Sequence, residues 1–354
     1  MKNYGHTTRY GVLEGDILVI DIHKVITDSG IFSKKYISRE GFHFTSITNP
    51  HNVYDAIIIK YPHDVPCNSP RINGSSKSLE EHIEFINNYK IEKAMIISDN
   101  IDFIVNCPTL KYLSIIPADS SKDKFDYSPL YKMPQIKSLR CKTIYGSREE
   151  LSTCIDCAKI NALENIHITN SGYENFNSVL TLTSLGLTNY CKNDLSEAFE
   201  SSQIDTLSIF QSRITTLDGI EKSQKMQCVY LYHNRILKDI DSLRKIKGSL
   251  KALRIESCPK IDDFSVLGEL ENLEFLSLYG SNELPNLNFI KKLKNLKTFV
   301  FNMNVQDGDL TPCLNLSYVY CDRNRKHYTH KDKDLPKGEY VCGNESIEPW
   351  RRLY

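Results

Sequence analysis

Apolar residues along the chain recur in one short pattern, in which the first, fourth and sixth residues are apolar and the others vary. Clear copies begin at Leu250, Leu273 and Leu296. With the looser copies included, the starting positions are Ile91, Leu110, Ile136, Leu163, Leu182, Ile204, Met226, Leu250, Leu273, Leu296 and Leu316. From 19 to 27 residues separate successive starts. Such a period indicates units that cannot bury their apolar edges alone and therefore stack on their neighbours.

The position eight residues after each start indicates how the chain turns away from a strand. Asn234 holds this position in the unit from Met226, and Cys258 holds it in the next unit. An asparagine amide there can bond the backbone of the turn. Tyr190 and Ser212 hold it in two earlier units, so the geometry of those turns stays open. With these residues, the stretch 91–321 resembles bacterial leucine-rich repeat proteins of the short, internalin-like type, whose repeats have about 22 residues.

The resemblance implies an α/β fold, a leucine-rich repeat solenoid with a parallel β-sheet on its concave side. About eleven units would occupy residues 76–321. A helix is expected to begin at Ser78, with Glu80 and Glu81 in its first turn. Open solenoid ends need polar or specially shaped units. Residues 1–75, which contain β-type runs such as 17–22 and 56–59, are therefore interpreted as a β-rich N-terminal cap or small domain, and residues 322–354 as a C-terminal cap.

Composition favours a folded, cytoplasmic protein. Lys plus Arg and Asp plus Glu number 44 each, so no overall charge draws the chain to nucleic acid or to a membrane. No apolar run of about 18 residues is present, and the first residues do not resemble a secretory signal. The 11 cysteines are odd in number, and Cys141, Cys258 and Cys321 fall in or beside repeat strands. Buried thiols of this kind are typical of a reducing compartment.

Three motifs suggest chemistry, and each has a simpler structural explanation. Asp21 ends an apolar strand, as in some phosphatases, but His23 stands where a second carboxylate is needed. Cys154 and Cys157 have metal-ligand spacing without a nearby second pair. His327 and His330 lie in a polar stretch that reads as an exposed loop. We therefore expect no enzyme activity, no cofactor and no metal.

Alternate residues of each repeat strand point away from the core and are free to contact a partner. Aromatic and arginine side chains dominate the binding energy of protein interfaces. The predicted partner-binding residues are Phe210, Tyr230, Tyr232, His233, Arg254, Glu256, Phe275, Tyr279, Tyr318 and Tyr320. The expected partner is another protein, bound by a monomer.

Several functions remain open at this stage. The favoured one is a non-enzymatic protein-binding scaffold that acts as an inhibitor, an immunity-type protein or an adaptor. In a second, residues 1–75 carry a separate activity and the repeats only target it. In a third, the chain is an exported effector that acts in a host.

Overall fold

A computed structural model describes residues 7–8, 11–14, 17–20, 37–45, 56–61, 75–117, 125–141, 154–169, 173–199 and 203–341. The chain forms two compact units. The first contains residues 1–163, 171–174 and 351–354, and the second contains residues 164–170 and 175–350. The domain boundaries predicted after residues 75 and 321 stay predictions, and the N-terminal cap is not confirmed.

The first unit contains an antiparallel region that continues into parallel strands. Its strands are β1 (Thr7–Thr8), β2 (Gly11–Glu14), β3 (Ile17–Ile20), β4 (Ile37–Arg39), β5 (Phe42–Thr45), β6 (Ala56–Tyr61), β7 (Lys93–Ser98), β8 (Tyr112–Pro117), β9 (Ser138–Cys141), β10 (Ile155–Asp156) and β12 (Tyr173–Glu174). Neighbours from β1 to β6 pair antiparallel, and neighbours from β6 to β9 pair parallel. β10 and β12 form a separate parallel pair. Strand β6 thus runs beside the first predicted repeat strand.

Helix α1 (Leu79–Tyr89) begins where the sequence predicts it. The Ser78 hydroxyl accepts a hydrogen bond from the Glu81 backbone N–H at 3.2 Å, and the Glu81 carboxylate accepts one from the Ser78 N–H at 2.8 Å. This reciprocal cap satisfies two backbone donors that the first turn would leave unpaired. Phe85 lies buried on the inner side of the helix, with its ring 4.2 Å from that of Phe42 in β5.

The second unit repeats one strand and one short return segment. Its strands are β11 (Asn165–Thr169), β13 (Ser184–Thr188), β14 (Thr206–Phe210), β15 (Cys228–Tyr232), β16 (Ala252–Glu256), β17 (Phe275–Tyr279), β18 (Glu283–Leu284), β19 (Thr298–Phe301), β20 (Asn304–Val305) and β21 (Tyr318–Cys321). A parallel sheet contains β11, β13 to β17, β19 and β21 in chain order, and β18 pairs separately with β20.

Short 3₁₀ helices return the chain from one strand to the next in most of the repeats. In the first unit they span Asp102–Asn106, Ser128–Lys132 and Cys157–Lys159. In the second unit they span Phe176–Ser178, Ile220–Lys222, Asp241–Ile246, Ser265–Glu269, Asn288–Lys292 and Thr311–Asn315. One more 3₁₀ helix, Asp332–Asp334, follows the last strand. A parallel sheet with compact returns at the predicted period confirms the leucine-rich repeat fold.

The predicted pattern positions form the apolar core of the stack. Parallel pairing places Leu253 opposite Val229 on one side and Leu276 on the other. All three are fully buried. The first residues of the pattern are buried from Leu110 to Leu296, whereas Ile91 and Leu316, at the two ends of the series, are half-buried. Each repeat therefore shares its core with the repeats on either side.

Side chains after the strands hold the turns, as the asparagine position predicts. The Asn234 amide oxygen accepts from the Ser212 N–H at 2.9 Å, and its nitrogen donates to the Ile209 carbonyl at 3.0 Å. In the preceding repeat the Ser212 hydroxyl has the same role. It accepts a hydrogen bond from the Tyr190 N–H at 3.0 Å and donates one to the Phe210 carbonyl at 2.9 Å. Serine at this position therefore stabilises the turn, whose geometry the sequence alone did not predict.

One residue directly after each of four strands adopts a left-handed backbone conformation. These residues are Asn189, Gln211, His233 and Ser257, with φ between 49° and 55°. Each donates its N–H to the last carbonyl of the following strand, for example His233 to Glu256 at 2.9 Å. The ladder of hydrogen bonds therefore continues past the strand ends.

Replacing Asn234 by alanine is expected to lower the free energy of unfolding by about 1–3 kcal/mol, because two buried backbone groups lose their partners. Urea unfolding followed by circular dichroism measures this change. The adjacent exposed residue supplies the control, since Arg235→Ala should change stability by less than about 0.5 kcal/mol. Equal stability of the two variants would contradict the conclusion that the Asn234 side chain stabilises the turn.

Replacing Leu253 by alanine is expected to lower the free energy of unfolding by about 2–5 kcal/mol, because the smaller side chain leaves a cavity between two neighbouring repeats. The exposed Lys260→Ala serves as its control in the same unfolding experiment. A Leu253→Ala variant as stable as the control would contradict a shared core at this point.

Candidate functional site

In each of the strands β13 to β17, the first, third and fifth side chains point away from the leucine core. We call this side of the sheet the outer face. Parallel register arranges these side chains in three rows. The first row is Ser184, Thr206, Cys228, Ala252, Phe275, Thr298 and Tyr318. The middle row is His167, Gly186, Ser208, Tyr230, Arg254, Ser277, Val300 and Tyr320. The third row is Thr188, Phe210, Tyr232, Glu256 and Tyr279, continued by Asn302 and Asp322 after the last two strands.

The outer face contains nine of the ten predicted partner-binding residues, and the tenth, His233, directly follows β15. Their accessibility differs from the expectation. Phe210, Tyr230 and Phe275 are only 5, 3 and 3% exposed. The other seven are half-buried or exposed, and Tyr320 is 38% exposed. The expectation that all ten side chains are free for a partner is therefore wrong for three of them, while their role in binding stays a prediction.

Mutual packing explains the burial of these three rings. The ring of Phe210 meets that of Tyr230 edge-on at a centroid distance of 5.3 Å. Both belong to one buried cluster with Phe275, and the small Cys228 and Ala252 complete that cluster. Aromatic pairs in this geometry stabilise a sheet beyond the area that they bury. This part of the outer face thus acts as a second, smaller core.

A charged network lies beside the aromatic cluster. The Arg254 Nη2 atom is 2.8 Å from Glu256 Oε2, and the Arg254 guanidinium carbon lies 5.0 Å from the centre of the Tyr230 ring. The Tyr230 hydroxyl donates to the same Glu256 oxygen at 3.3 Å. Because Arg254 and Glu256 are only half-buried, water still reaches both charges. The network holds a cation and an anion in fixed positions on the outer face.

The last strands carry a second group of aromatic and charged residues. The Tyr320 hydroxyl donates to Asp322 at 3.2 Å. The Lys337 ammonium lies 5.6 Å from the ring centre of Tyr318 and 5.5 Å from that of Tyr320. Burial, and then the negative charge of Asp322, raises the pKa of Tyr279 to about 12. Tyr279 is therefore a neutral hydrogen-bonding side chain near neutral pH.

His167 occupies the outer face in β11, the first strand of the second unit. Its Nε2 atom is 2.8 Å from the Thr188 hydroxyl, and its ring centre is 5.6 Å from that of Phe210. A Cβ atom at Gly186 would lie 2.6 Å from the His167 ring, so glycine makes room for it. Only the register of adjacent strands reveals this pairing, which the sequence analysis did not identify.

The C-terminal segment also contributes to the outer face. The Tyr340 ring lies 6.2 Å from that of Phe275 and 5.1 Å from that of Tyr318. The Val341 N–H donates to the Thr298 hydroxyl at 3.0 Å. Neither residue belongs to a repeat, so the repeat pattern gave no signal for this contact.

The other candidate motifs occupy separate places. Cys154 is exposed, whereas Cys157 is buried and burial raises the pKa of its thiol strongly. His327 bonds the Val305 carbonyl at 2.9 Å in the loop after β21. Asp21 and His23 lie outside the described residues. In the part of the chain that the structure describes, no three metal-ligating residues converge on one point, and no helix has the length and apolar character to cross a membrane.

Comparisons with known proteins find likenesses in structure. The sequence matches no protein-family model and no curated protein. An internalin, InlF from Listeria monocytogenes, aligns over 69% of this chain and 71% of its own, with 16% identity and a TM-score of 0.46. Internalin C2 from the same bacterium aligns over 48% and 76%, with 21% identity and a TM-score of 0.40. A TLR13–ssRNA13 complex aligns over 70% and 42%, with 17% identity and a TM-score of 0.45. Likenesses at these identities and TM-scores carry no conclusion about the function of this chain.

The pKa of Tyr279 predicts a pH dependence of stability. The folded state holds the Tyr279 proton up to about pH 12, while an unfolded tyrosine loses it near its ordinary value of 10. This contribution is fully present below pH 10 and is lost as the pH rises towards 12. Tyr279→Phe keeps the ring without the proton, so urea unfolding at several pH values should show a shallower loss of stability. Identical pH profiles for the two proteins would contradict the shift.

Proposed function

We propose that this chain is a non-enzymatic scaffold that binds another protein through the third row of its outer face and the neighbouring side chains of the last strands. The observation that carries the proposal is a continuous series of accessible aromatic and charged groups. The series contains Tyr232, His233, Arg254, Glu256, Tyr279, Tyr318, Tyr320 and Asp322.

The residue types of this series favour a protein partner. Tyrosine and arginine are enriched among the residues that dominate interface energy, because they cover large areas and also hydrogen-bond. Tyrosine loses little conformational entropy when it is fixed, since few of its bonds rotate. One surface that presents Tyr232, Tyr279 and Tyr320 together is therefore suited to excluding water from an interface.

Contacts within the chain prepare several of these side chains for binding. Arg254 is fixed by Glu256 and by the Tyr230 ring, and Tyr320 is fixed by Asp322. A side chain already held in place pays less entropy when a partner arrives. The fixed positive and negative groups also select a partner with the opposite arrangement of charge.

The described thiols favour binding over catalysis. Burial raises the pKa of Cys258 to about 11 and of Cys141 to about 12, so both remain protonated and weakly nucleophilic at neutral pH. Seven of the nine described cysteines are buried, and buried cysteines that pack as small apolar residues are typical of a reducing compartment. Their burial supports a cytoplasmic location, which is part of the proposal. An inhibitor, an immunity-type protein and an adaptor would each use the same surface.

The proposal predicts that Tyr279→Ala and Tyr320→Ala each weaken partner binding by about 1–4 kcal/mol without unfolding the chain. The partner is first captured with the intact chain as bait, purified and titrated by calorimetry. Leu180→Ala is the control, because Leu180 is 75% exposed and lies in the loop before β13. Unchanged affinity of both tyrosine variants would exclude this surface as the binding site.

A further inference from the structure

A groove of about 510 Å³ crosses the second unit just before the strands β15, β16, β17 and β19 begin. We call it the strand-start groove. Its lining comes from four successive repeats and includes Lys225, Lys251, Asn272, Glu274, Asn295 and Lys297. The third row of the outer face lies at the other ends of these strands, so the groove and the proposed partner-binding surface are separate.

The register of the sheet sets the spacing of the groove residues. Lys251, Glu274 and Lys297 each directly precede a strand. The Glu274 N–H donates to the Lys251 carbonyl at 2.8 Å, and the Lys297 N–H donates to the Glu274 carbonyl at 2.9 Å. The hydrogen-bond ladder therefore begins before the strands, and neighbouring positions along the groove are about 4.8 Å apart.

Positive charge is in excess in this groove, because its lining contains three lysines and one glutamate. The single carboxylate, Glu274, is already paired with Lys297 at 3.1 Å. The Lys225 ammonium donates to the neutral Gln203 amide oxygen at 2.6 Å. Within the described part of the chain, the half-buried Lys251 ammonium has no hydrogen bond or ion pair. A cleft lined by charge of one sign concentrates ligands of the opposite sign.

Two asparagine side chains give the groove hydrogen-bond acceptors as well as cations. The Asn272 amide nitrogen donates to the Gly248 carbonyl at 2.9 Å, and the Asn295 amide nitrogen donates to the Glu271 carbonyl at 3.1 Å. These bonds fix both amides, and each amide oxygen can accept two hydrogen bonds. A peptide backbone supplies N–H donors for such oxygens, whereas a chain of phosphates supplies acceptors alone.

We propose that the strand-start groove binds an acidic segment of a second protein in an extended conformation. Its carboxylates pair with Lys225 and Lys251, and its backbone N–H groups donate to the asparagine oxygens. Three strand intervals separate Lys225 from Lys297, or about 14 Å. An extended peptide rises about 3.3 Å per residue, so four or five residues span the groove. This site does not depend on the proposed function of the third row.

A peptide of six glutamates labelled with fluorescein tests the site by fluorescence anisotropy. We expect binding at low ionic strength that weakens as salt is added, because salt screens exposed charges. A labelled peptide of six glutamines should bind at least several-fold more weakly. Equal binding of the two peptides, or no binding of the glutamate peptide, would overturn the proposal.

Lys251→Gln should weaken binding of the glutamate peptide about tenfold, because it removes one charge-assisted hydrogen bond. Lys251→Arg keeps the cation and should retain most of the affinity. Lys260→Gln, the same change at an exposed position outside the groove, should leave the affinity unchanged. A folded Lys251→Gln variant that binds as tightly as the intact chain would remove the groove as the site.

Gly248→Asp tests the same site without removing a lysine. A Cβ atom on Gly248 would have no atom within 4 Å, so the new carboxylate is accommodated beside the groove and should repel the peptide. Gly268→Asp is the matched control, because a Cβ atom there makes only an ordinary contact at 3.4 Å and this glycine does not line the groove. Circular dichroism establishes that each variant is folded. Equal affinity of these two variants would contradict the proposal.

Two further measurements separate this site from its alternatives. Inorganic tripolyphosphate that displaces the labelled peptide at lower concentration than an unlabelled glutamate peptide would assign the groove to phosphate chains and overturn the choice of a peptide. Tyr279→Ala and Tyr320→Ala should leave glutamate-peptide binding unchanged. Failure of the groove and failure of the third row are therefore read in different experiments.

Discussion

Shared burial between neighbouring strands is the constraint on which the second unit depends. Strand β16 has apolar residues on its inner side. Its Leu253 lies between Val229 and Leu276, which belong to the repeats before and after it. A single repeat could not bury this surface by itself, because its strand is only five residues long. Strict register follows from that need, since a shift by one residue would turn the leucines outwards. The same register aligns the outward side chains in rows and so creates the candidate site.

Much of the fold followed from the sequence because the inner positions repeat. The pattern starts located the strands of the second unit, and Asn234 indicated the turn that follows one of them. Helix α1 was predictable from Ser78 and Glu81, whose reciprocal cap is a local interaction. The role of Ser212 was not predictable with certainty, because a serine bonds backbone groups in many settings. Only its distances to Tyr190 and Phe210 identify its function in the turn.

The candidate site was only partly predictable. Alternation along the strands placed the outward residues correctly, since it depends on the backbone alone. Accessibility depends on what lies above the sheet, and Tyr340 arrives there from outside the repeats. The burial of Phe275 beneath it could not be inferred from the pattern around Phe275. The pairing of His167 with Gly186 likewise depends on which residues become neighbours across two strands.

The hydrogen bonds along β21 have a consequence for the behaviour of the protein at high concentration. An uncovered last strand presents a row of N–H and C=O groups on which strands of other molecules can assemble. Here the Val319 N–H is already bonded to Pro336, and the Ser317 carbonyl is bonded to Gly338. Proline strengthens this protection because it has no N–H to offer to an incoming strand. The end of the sheet is thereby guarded against edge-to-edge polymerisation into fibres.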